Sequence, residues 1–260
     1  MKVAVTGAAG YLGMNLARRL VADGHEVVAV DRVRADVGAE VSWVEADVLD
    51  ESAMVRALDG AEQVFHLVAV ISLKQEDPFA WRVNTEGVGT VARAALTVGA
   101  RRLVNCGSLA SFHYRRHGTV DETSPRAVDP SLPVYHRSKY AGEVELLKVV
   151  DRGLDALTCN PTGIFGPVDH PDRLSRMNAA MHDAARGRAP VAVAGSFDMV
   201  DVRDVAHGFV LAAEKGRTGH NYLLGGHRFR LDEANRLAAR HAGRRGPLVT
   251  LPVRVLEVMR

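Results

Sequence analysis

Tyr135 and Lys139 stand four residues apart in Tyr135-His136-Arg137-Ser138-Lys139. On a helix these positions share one face, which sets an ammonium beside a phenol. A positive neighbour stabilises phenolate and lowers a tyrosine pKa from its reference near ~10. That suits the pair to general acid/base work near neutral pH. The spacing alone is common. Ser108 adds weight, because it follows an apolar run, Arg102 to Cys106, that reads as a strand. The end of such a strand borders a ligand crevice. Ser111, three residues on, is the alternative hydroxyl.

A second cluster opens the chain. Gly7-Ala8-Ala9-Gly10-Tyr11-Leu12-Gly13 follows a β-branched run and begins a segment of helical period. Glycines at this spacing permit a tight turn and close approach of backbone to a pyrophosphate. The helix N-terminus supplies N–H groups and the positive end of its dipole. Asp31 comes 18 residues after Gly13, close to the ~20-residue spacing of an acid that binds the adenosine ribose. A carboxylate there repels a 2′-phosphate, so NAD is expected. Arg32 and Arg34 keep NADP as the alternative, since a guanidinium can clamp that phosphate. Asp47 is placed to accept from an adenine amine or to cap the next helix.

These residues need a scaffold that gathers them. Strands are expected at Lys2 to Thr6, Glu26 to Asp31, Val41 to Ala46, Gln63 to Val68, Arg102 to Cys106 and Leu154 to Cys159. Helices are expected at Gly10 to Asp23, Glu51 to Leu58, Pro78 to Gly99 and Val134 to Arg152. Alternation of this kind implies right-handed crossovers and a doubly wound α/β fold with a parallel sheet. Its ligand crevice lies beyond the carboxyl ends of the strands. Past Asn160 the pattern breaks. Helices around Arg173 to Arg186, Val202 to Lys215 and Leu231 to Ala242 are expected, with strands at Val191 to Ala194 and Tyr222 to Leu224. Residues 1–160, with a return segment at about 197–225, are expected to form the dinucleotide-binding domain. Residues 161–196 and 226–260 are expected to form a small C-terminal substrate lobe, naturally short or cut off as another helix begins at Leu251 to Arg260.

With 47% hydrophobic and 25% charged residues, the composition excludes a disordered chain or a disulfide scaffold. A net charge of +2 gives no general case for nucleic acid or an anionic membrane. No apolar run reaches the ~20 residues that span a bilayer, and the first strand leaves no room for a signal peptide. Cys106 and Cys159 read as buried thiols, so cytoplasm is expected. No metal site is expected: His113 and His117 have a useful spacing but lack clustered acids or cysteines.

Taken in order, the motifs resemble the extended short-chain dehydrogenase/reductase superfamily, in its NAD-dependent epimerase/dehydratase branch. They are the Gly7 to Gly13 loop, Asp31, Asp47-Val48, His66-Leu67-Val68-Ala69, Asn84 in Val83-Asn84-Thr85-Glu86-Gly87, Ser108, Tyr135 with Lys139, and Asn160-Pro161-Thr162. Cys159 to Pro167 and Val200-Asp201-Val202-Arg203-Asp204-Val205 look most like the dihydroflavonol-reductase-like subgroup. The resemblance implies a Rossmann fold and hydride transfer between NAD(P) and a carbonyl or alcohol substrate. Tyr135 would be the acid/base, Lys139 would tune it and hold the nicotinamide ribose, and Ser108 would bind the carbonyl oxygen. Gly7, Gly10, Tyr11, Leu12, Gly13, Asp31, Arg32, Asp47, Val48, Leu67, Val68, Ala69, Pro161 and Thr162 would complete the cofactor site. Pairing of the two long helices, Pro78 to Gly99 and Val134 to Arg152, implies a homodimer.

Two departures stand out. The usual serine pair after the fifth strand reads Gly107-Ser108, and Leu109-Ala110 replaces the acidic pair of sugar-nucleotide dehydratases. The second disfavours dehydration. A sugar-nucleotide 4-epimerase using the same triad is the nearest rival, and a non-catalytic dinucleotide-sensing regulator the rival from another class. His66 is expected to fix a strand end and Asn84 to satisfy backbone groups. Arg115 or Arg116 could meet an anionic substrate, and Arg173, Arg176, Met177 and Met181 could line a pocket.

Overall fold

Short β-branched runs and longer amphipathic segments alternate along the chain, and the computed structural model turns them into strands and helices in that order. It describes residues 1–37, 40–113, 118–170 and 174–252. The elements run β1 (Lys2–Thr6), α1 (Tyr11–Ala22), β2 (Glu26–Asp31), β3 (Ser42–Glu45), α2 (Glu51–Ala57), β4 (Gln63–His66), α3 (Pro78–Thr97) and β5 (Arg102–Cys106). A 3-10 turn (Leu109–Ser111), α4 (Val134–Val150), β6 (Ala156–Pro161), β7 (Gly163–Phe165), α5 (Arg176–Ala185), β8 (Val191–Ala194) and β9 (Ser196–Asp201) follow. The last are α6 (Val202–Lys215), β10 (Asn221–Leu224), β11 (His227–Arg230), α7 (Leu231–His241) and β12 (Val249–Pro252).

The chain divides into two compact units. The first is Met1–Pro161 with Arg203–Leu224, and the second Thr162–Val202 with Gly225–Arg260. In the first, seven parallel strands lie in the order β10-β6-β5-β4-β1-β2-β3. The winding reverses between β1 and β4, which in a doubly wound sheet marks the ligand crevice. This is the expected Rossmann-like α/β fold. Its core strands are buried on both faces, as parallel sheets require: Val3, Ala4, Val5, Val64, Phe65, Leu103, Val104 and Leu157 are all sealed from solvent.

One level of the sheet is polar. Thr6 pairs in register with His66, His66 with Asn105, and Asn105 with Thr158. All four are buried. Thr6 Oγ1 and His66 Nδ1 lie 2.7 Å apart in a hydrogen bond, and Asn105 Nδ2 donates to Thr158 Oγ1 at 3.4 Å. His66 therefore fixes a strand end, as expected.

The helices that matter for the site are held by specific devices. Asp77 caps α3 by accepting from Ala80 N–H, with Pro78 at the first helical position. Pro133 precedes α4 and offers no side-chain cap. Two of the orphan N–H groups of α4 are instead taken by the loop after β4: Val134 donates to Lys74 O at 2.9 Å and Tyr135 to Ser72 O at 3.3 Å. Helices α3 and α4 touch backbone to backbone, because a Cβ at Gly142 would sit 2.1 Å from Asn84 O. Val91 and Leu146 are buried in the core, and Leu96 and Val150 pack against it.

The second unit holds a three-stranded sheet in the order β11-β9-β7, a parallel pair β12-β8, and helices α5 and α7. Three points differ from expectation. The segment from residue 197 was expected with the first unit, but β9 pairs with β7 and β11, so the return segment starts at Arg203. Strands β7, β9 and β11 were not expected: they are short, β7 and β9 only partly buried and β11 exposed throughout, which leaves little hydrophobic pattern to read. Leu251 and Pro252, expected to begin a helix, end β12, whose Leu251 pairs with Val193; residues 253–260 lie outside the described residues.

Candidate functional site

The loop between β1 and α1 can be built only from glycine at two positions. Gly7 has φ +78°, and a Cβ on it would meet Val68 N at 2.9 Å. At Gly13 a Cβ would fall 2.1 Å from Gly7 O. The loop is thus pressed between the first turn of α1 and the segment Leu67-Val68 that leaves β4. Gly10 is the N-cap of α1; with glycine there, no capping side chain competes with a bound phosphate for the helix's first N–H groups.

Asp31 closes β2 beside this loop. Its Oδ2 accepts from Ala9 N–H at 3.1 Å and its Oδ1 from Arg32 N–H at 2.7 Å. An ionised carboxylate has about four acceptor sites, which leaves capacity for ribose hydroxyls. Arg32 is exposed, 5.8 Å over the Phe79 ring and 4.0 Å from the Asp47 carboxylate. Asp47 accepts from Leu49 N–H at 3.0 Å, and the cap of α2 is Asp50, which accepts from Ala53 N–H. Val48 is buried against Gly87, Leu67 donates its N–H to Thr6 O, and Ala69 is exposed. The glycine cradle, the bare helix N-terminus and the acid at the end of β2 fit a dinucleotide.

The second cluster lies where β5 meets α4. Lys139 is buried, and its Nζ donates to Cys106 O at 2.6 Å, two residues before Ser108. Burial pulls the Lys139 ammonium below its ordinary range, opposed by Cys106 and Glu143. Ser108 caps the 3-10 turn, its Oγ accepting from Ala110 N–H at 3.1 Å. Its own N–H donates to Asn160 Oδ1 at 2.9 Å. Ser111, the alternative hydroxyl, is fully buried and donates to Ser108 O at 2.8 Å. Ser111 therefore supports the turn, while the half-buried Ser108 is the more accessible hydroxyl. Tyr135 is half-buried on the first turn of α4.

Asn160 explains the missing serine. A Cβ at residue 107 would lie 2.0 Å from Asn160 Oδ1 and 2.7 Å from Thr158 Cγ2. Only glycine fits beside that carboxamide. Asn84 behaves as expected: its Oδ1 accepts from Val70 N–H and its Nδ2 donates to Val70 O at 2.9 Å and Ser138 Oγ at 3.0 Å. Pro161 ends β6 in the first unit, whereas Thr162 belongs to the second and donates to Asp198 Oδ1 at 2.7 Å. His113 Nε2 is 3.6 Å from Asp129 Oδ2. Arg115, Arg116, His117 and Arg173 lie outside the described residues, and Arg176, Met177 and Met181 sit on α5 in the second unit.

Sequence reasoning passed over three residues near Ser108 and Lys139. Asn160 was read only as part of a motif. Glu143 sits one turn beyond Lys139, and the i,i+4 spacing could have flagged it. Arg126, whose Nη2 reaches Glu143 Oε1 at 2.6 Å, lies in a loop with no signal at all.

The chain is similar to several known proteins. The chain is 32% identical to sterol demethylase protein B of Methylococcus capsulatus over 264 residues, covering 99% of this chain and 79% of that one. It is 32% identical to a putative dihydroflavonol 4-reductase of Synechocystis over 231 residues, 85% of this chain and 66% of that one. The solved UDP-glucose 4-epimerase of Thermus thermophilus in complex with NAD superposes with a TM-score of 0.83 at 25% identity, over 97% of this chain and 86% of that one. The model of one family matches residues 3–225, spanning both the glycine cradle and the Ser108, Tyr135 and Lys139 cluster. With residues 3–225 matched, the chain belongs to the NAD dependent epimerase/dehydratase family, whose members carry out NAD-dependent oxidoreduction or epimerisation.

Proposed function

We propose that this chain interconverts a secondary alcohol and a ketone on a small molecule, with Tyr135 as general acid/base, Lys139 as its tuning cation and Ser108 as the group that orients the substrate oxygen. The carrying observation is the bond from Lys139 Nζ to Cys106 O, which ties the helix bearing Tyr135 to the strand end bearing Ser108. Tyr135 takes the hydroxyl proton as the alcohol is oxidised and returns it on reduction. Lys139 favours the phenolate by its charge. Ser108 donates to the oxygen as it gains negative charge. Gly7, Gly10, Tyr11, Leu12, Gly13, Asp31, Arg32, Asp47, Val48, Leu67, Val68, Ala69, Pro161 and Thr162 are assigned to NAD, which when bound accepts or supplies the hydride.

The name of the sterol demethylase relative favours a 3-hydroxysterol as the first substrate probe. The assay follows nicotinamide absorbance with NAD or NADP and either a 3-hydroxysterol or UDP-glucose. Net absorbance change with the sterol, lost in Tyr135→Phe, supports the reading. Epimerised UDP-glucose with tightly retained NAD and no net change replaces it with the epimerase reading. A cellular phenotype that survives Tyr135→Phe but not Gly10→Asp supports the sensing regulator instead.

Two further assignments belong here. Helices α3 and α4 are proposed as the homodimer surface, where Trp81, Thr85, Glu86, Thr90, Arg93, Ala141 and Glu145 line a groove of about 390 Å³. Light scattering at two concentrations tests it. A cytoplasmic location is proposed from the unpaired Cys106 and Cys159, and fractionation of cells expressing the tagged chain tests that.

A further inference from the structure

Glu143 follows Lys139 by one helical turn, as Lys139 follows Tyr135, so the three share one stripe of α4. Glu143 is buried. Its Oε1 accepts from Arg126 Nη2 at 2.6 Å, and its Oε2 has no hydrogen-bond partner among the described residues. Arg126 is itself mostly covered, 4.1 Å over the Phe112 ring and 5.5 Å from that of Tyr140. Its other arm, Nη1, donates to Ser111 Oγ at 3.3 Å, and Ser111 Oγ donates to Ser108 O at 2.8 Å. One guanidinium therefore spans the helix of Tyr135 and the turn of Ser108.

A buried ion pair is a poor source of stability, since desolvation offsets most of the attraction. Its charges call for another account. Lys139 is faced by Cys106 from β5, His66 from β4 and Glu143 from its own helix. Burial pushes the Cys106 thiol up and the His66 imidazole down to about 3, so both are neutral at neutral pH. Burial also pushes Glu143 up, while Arg126 and Lys139 oppose it. Among these neighbours Glu143 is the one carboxylate.

We propose that Arg126 and Glu143 are positioning residues for proton transfer, a charge-balanced pair that sets the field Lys139 exerts on Tyr135 and ties it to the Ser108 turn. The proposal rests on the triad reading above. Removing the carboxylate makes the surroundings of Tyr135 more positive and eases phenolate formation. Removing the guanidinium does the reverse.

The test needs no substrate. Phenolate absorbance of the NAD-bound protein is titrated with alkali, and the signal of Tyr135→Phe is subtracted to isolate Tyr135. Glu143→Gln is expected to move the onset of phenolate to lower pH, by at most about tenfold in the proton equilibrium, for one charge eight residues along the helix, about 12 Å away, at an effective dielectric of about 20. Arg126→Met is expected to move it to higher pH, and Arg126→Lys to restore it toward wild type. Retained NAD binding shows that each variant is folded. Onsets that stay put, or shift the same way in Glu143→Gln and Arg126→Met, overturn the proposal and leave a packing role. If the subtraction leaves no Tyr135 onset below that of free tyrosine, or Lys139→Met does not raise it, the triad reading falls and takes this proposal with it.

Discussion

The ammonium of Lys139 donates to the carbonyl of Cys106 at 2.6 Å, pinning the second turn of α4 to the last residue of β5. Replacing Lys139 removes the charge that favours Tyr135 phenolate and the bond to Cys106 O. Lys139→Met is expected to lower turnover by about 10²- to 10⁴-fold, the range for loss of tuned acid/base catalysis. Initial rates with the sterol probe check it, and a variant within threefold of wild type removes Lys139 from the mechanism.

Asp31 does two jobs: its two oxygens accept from the N–H groups of Ala9 and Arg32, and its charge repels a 2′-phosphate. Asp31→Asn keeps one acceptor oxygen, enough for one of these two N–H groups, while deleting the charge that repels a 2′-phosphate. Affinity for NADP relative to NAD is expected to rise by about tenfold, the size of one charge contact. Calorimetric titration with both cofactors measures the ratio. If wild type already binds NADP more tightly, Arg32 governs the choice.

Gly107 is expected to tolerate no side chain. Gly107→Ala drives a methyl group to within 2.0 Å of Asn160 Oδ1, a clash whose relief costs about 1–3 kcal/mol. In an Asn160→Ala background part of that cost disappears, because the two residues are coupled. Denaturant midpoints of the four proteins test it; strictly additive effects contradict the geometry.

His66 makes stability depend on acid. Burial, with Lys139 nearby, holds its folded-state pKa at about 3, against 6.5 for the free side chain. Below pH 6.5 the unfolded chain therefore binds the proton that the native state refuses. Its contribution is fully present above pH 6.5 and is lost as pH falls toward 3. At pH 4.5 the loss is about 2.7 kcal/mol, two pH units at about 1.36 kcal/mol each. His66→Gln should flatten the pH dependence of the urea midpoint between pH 7 and 4.5. An unaltered slope assigns the acid sensitivity elsewhere.

Much of this was readable in advance, and for physical reasons. The buried strands β1, β2, β4, β5 and β6 each hold a short apolar stretch flanked by turn signals, and Gly7, Gly13 and Asp31 are forced by steric and charge requirements that leave a mark in spacing. Tyr135 and Lys139 announced themselves through helical period. Arg126 did not, because a loop residue gains its role from a partner 17 positions away and no local pattern encodes that. The glycine at 107 looked like a lost serine until Asn160, on the neighbouring strand β6, supplied the reason. In the second unit, β11 is exposed along its whole length, so no alternation of burial was there to read.

The polar row Thr6, His66, Asn105 and Thr158 has a consequence for assembly of the sheet. Strands apolar on both faces match one another nearly as well after sliding by a residue, so greasiness alone is a poor ruler. A slip at β4 would carry His66 away from Thr6 and strand a buried imidazole among methyl groups, at the cost of an unpaired polar atom. The four side chains act as notches on a key. Only one alignment of β1, β4, β5 and β6 lets them meet, and that alignment also brings Gly7, Val68 and Ser108 to the same end of the strands.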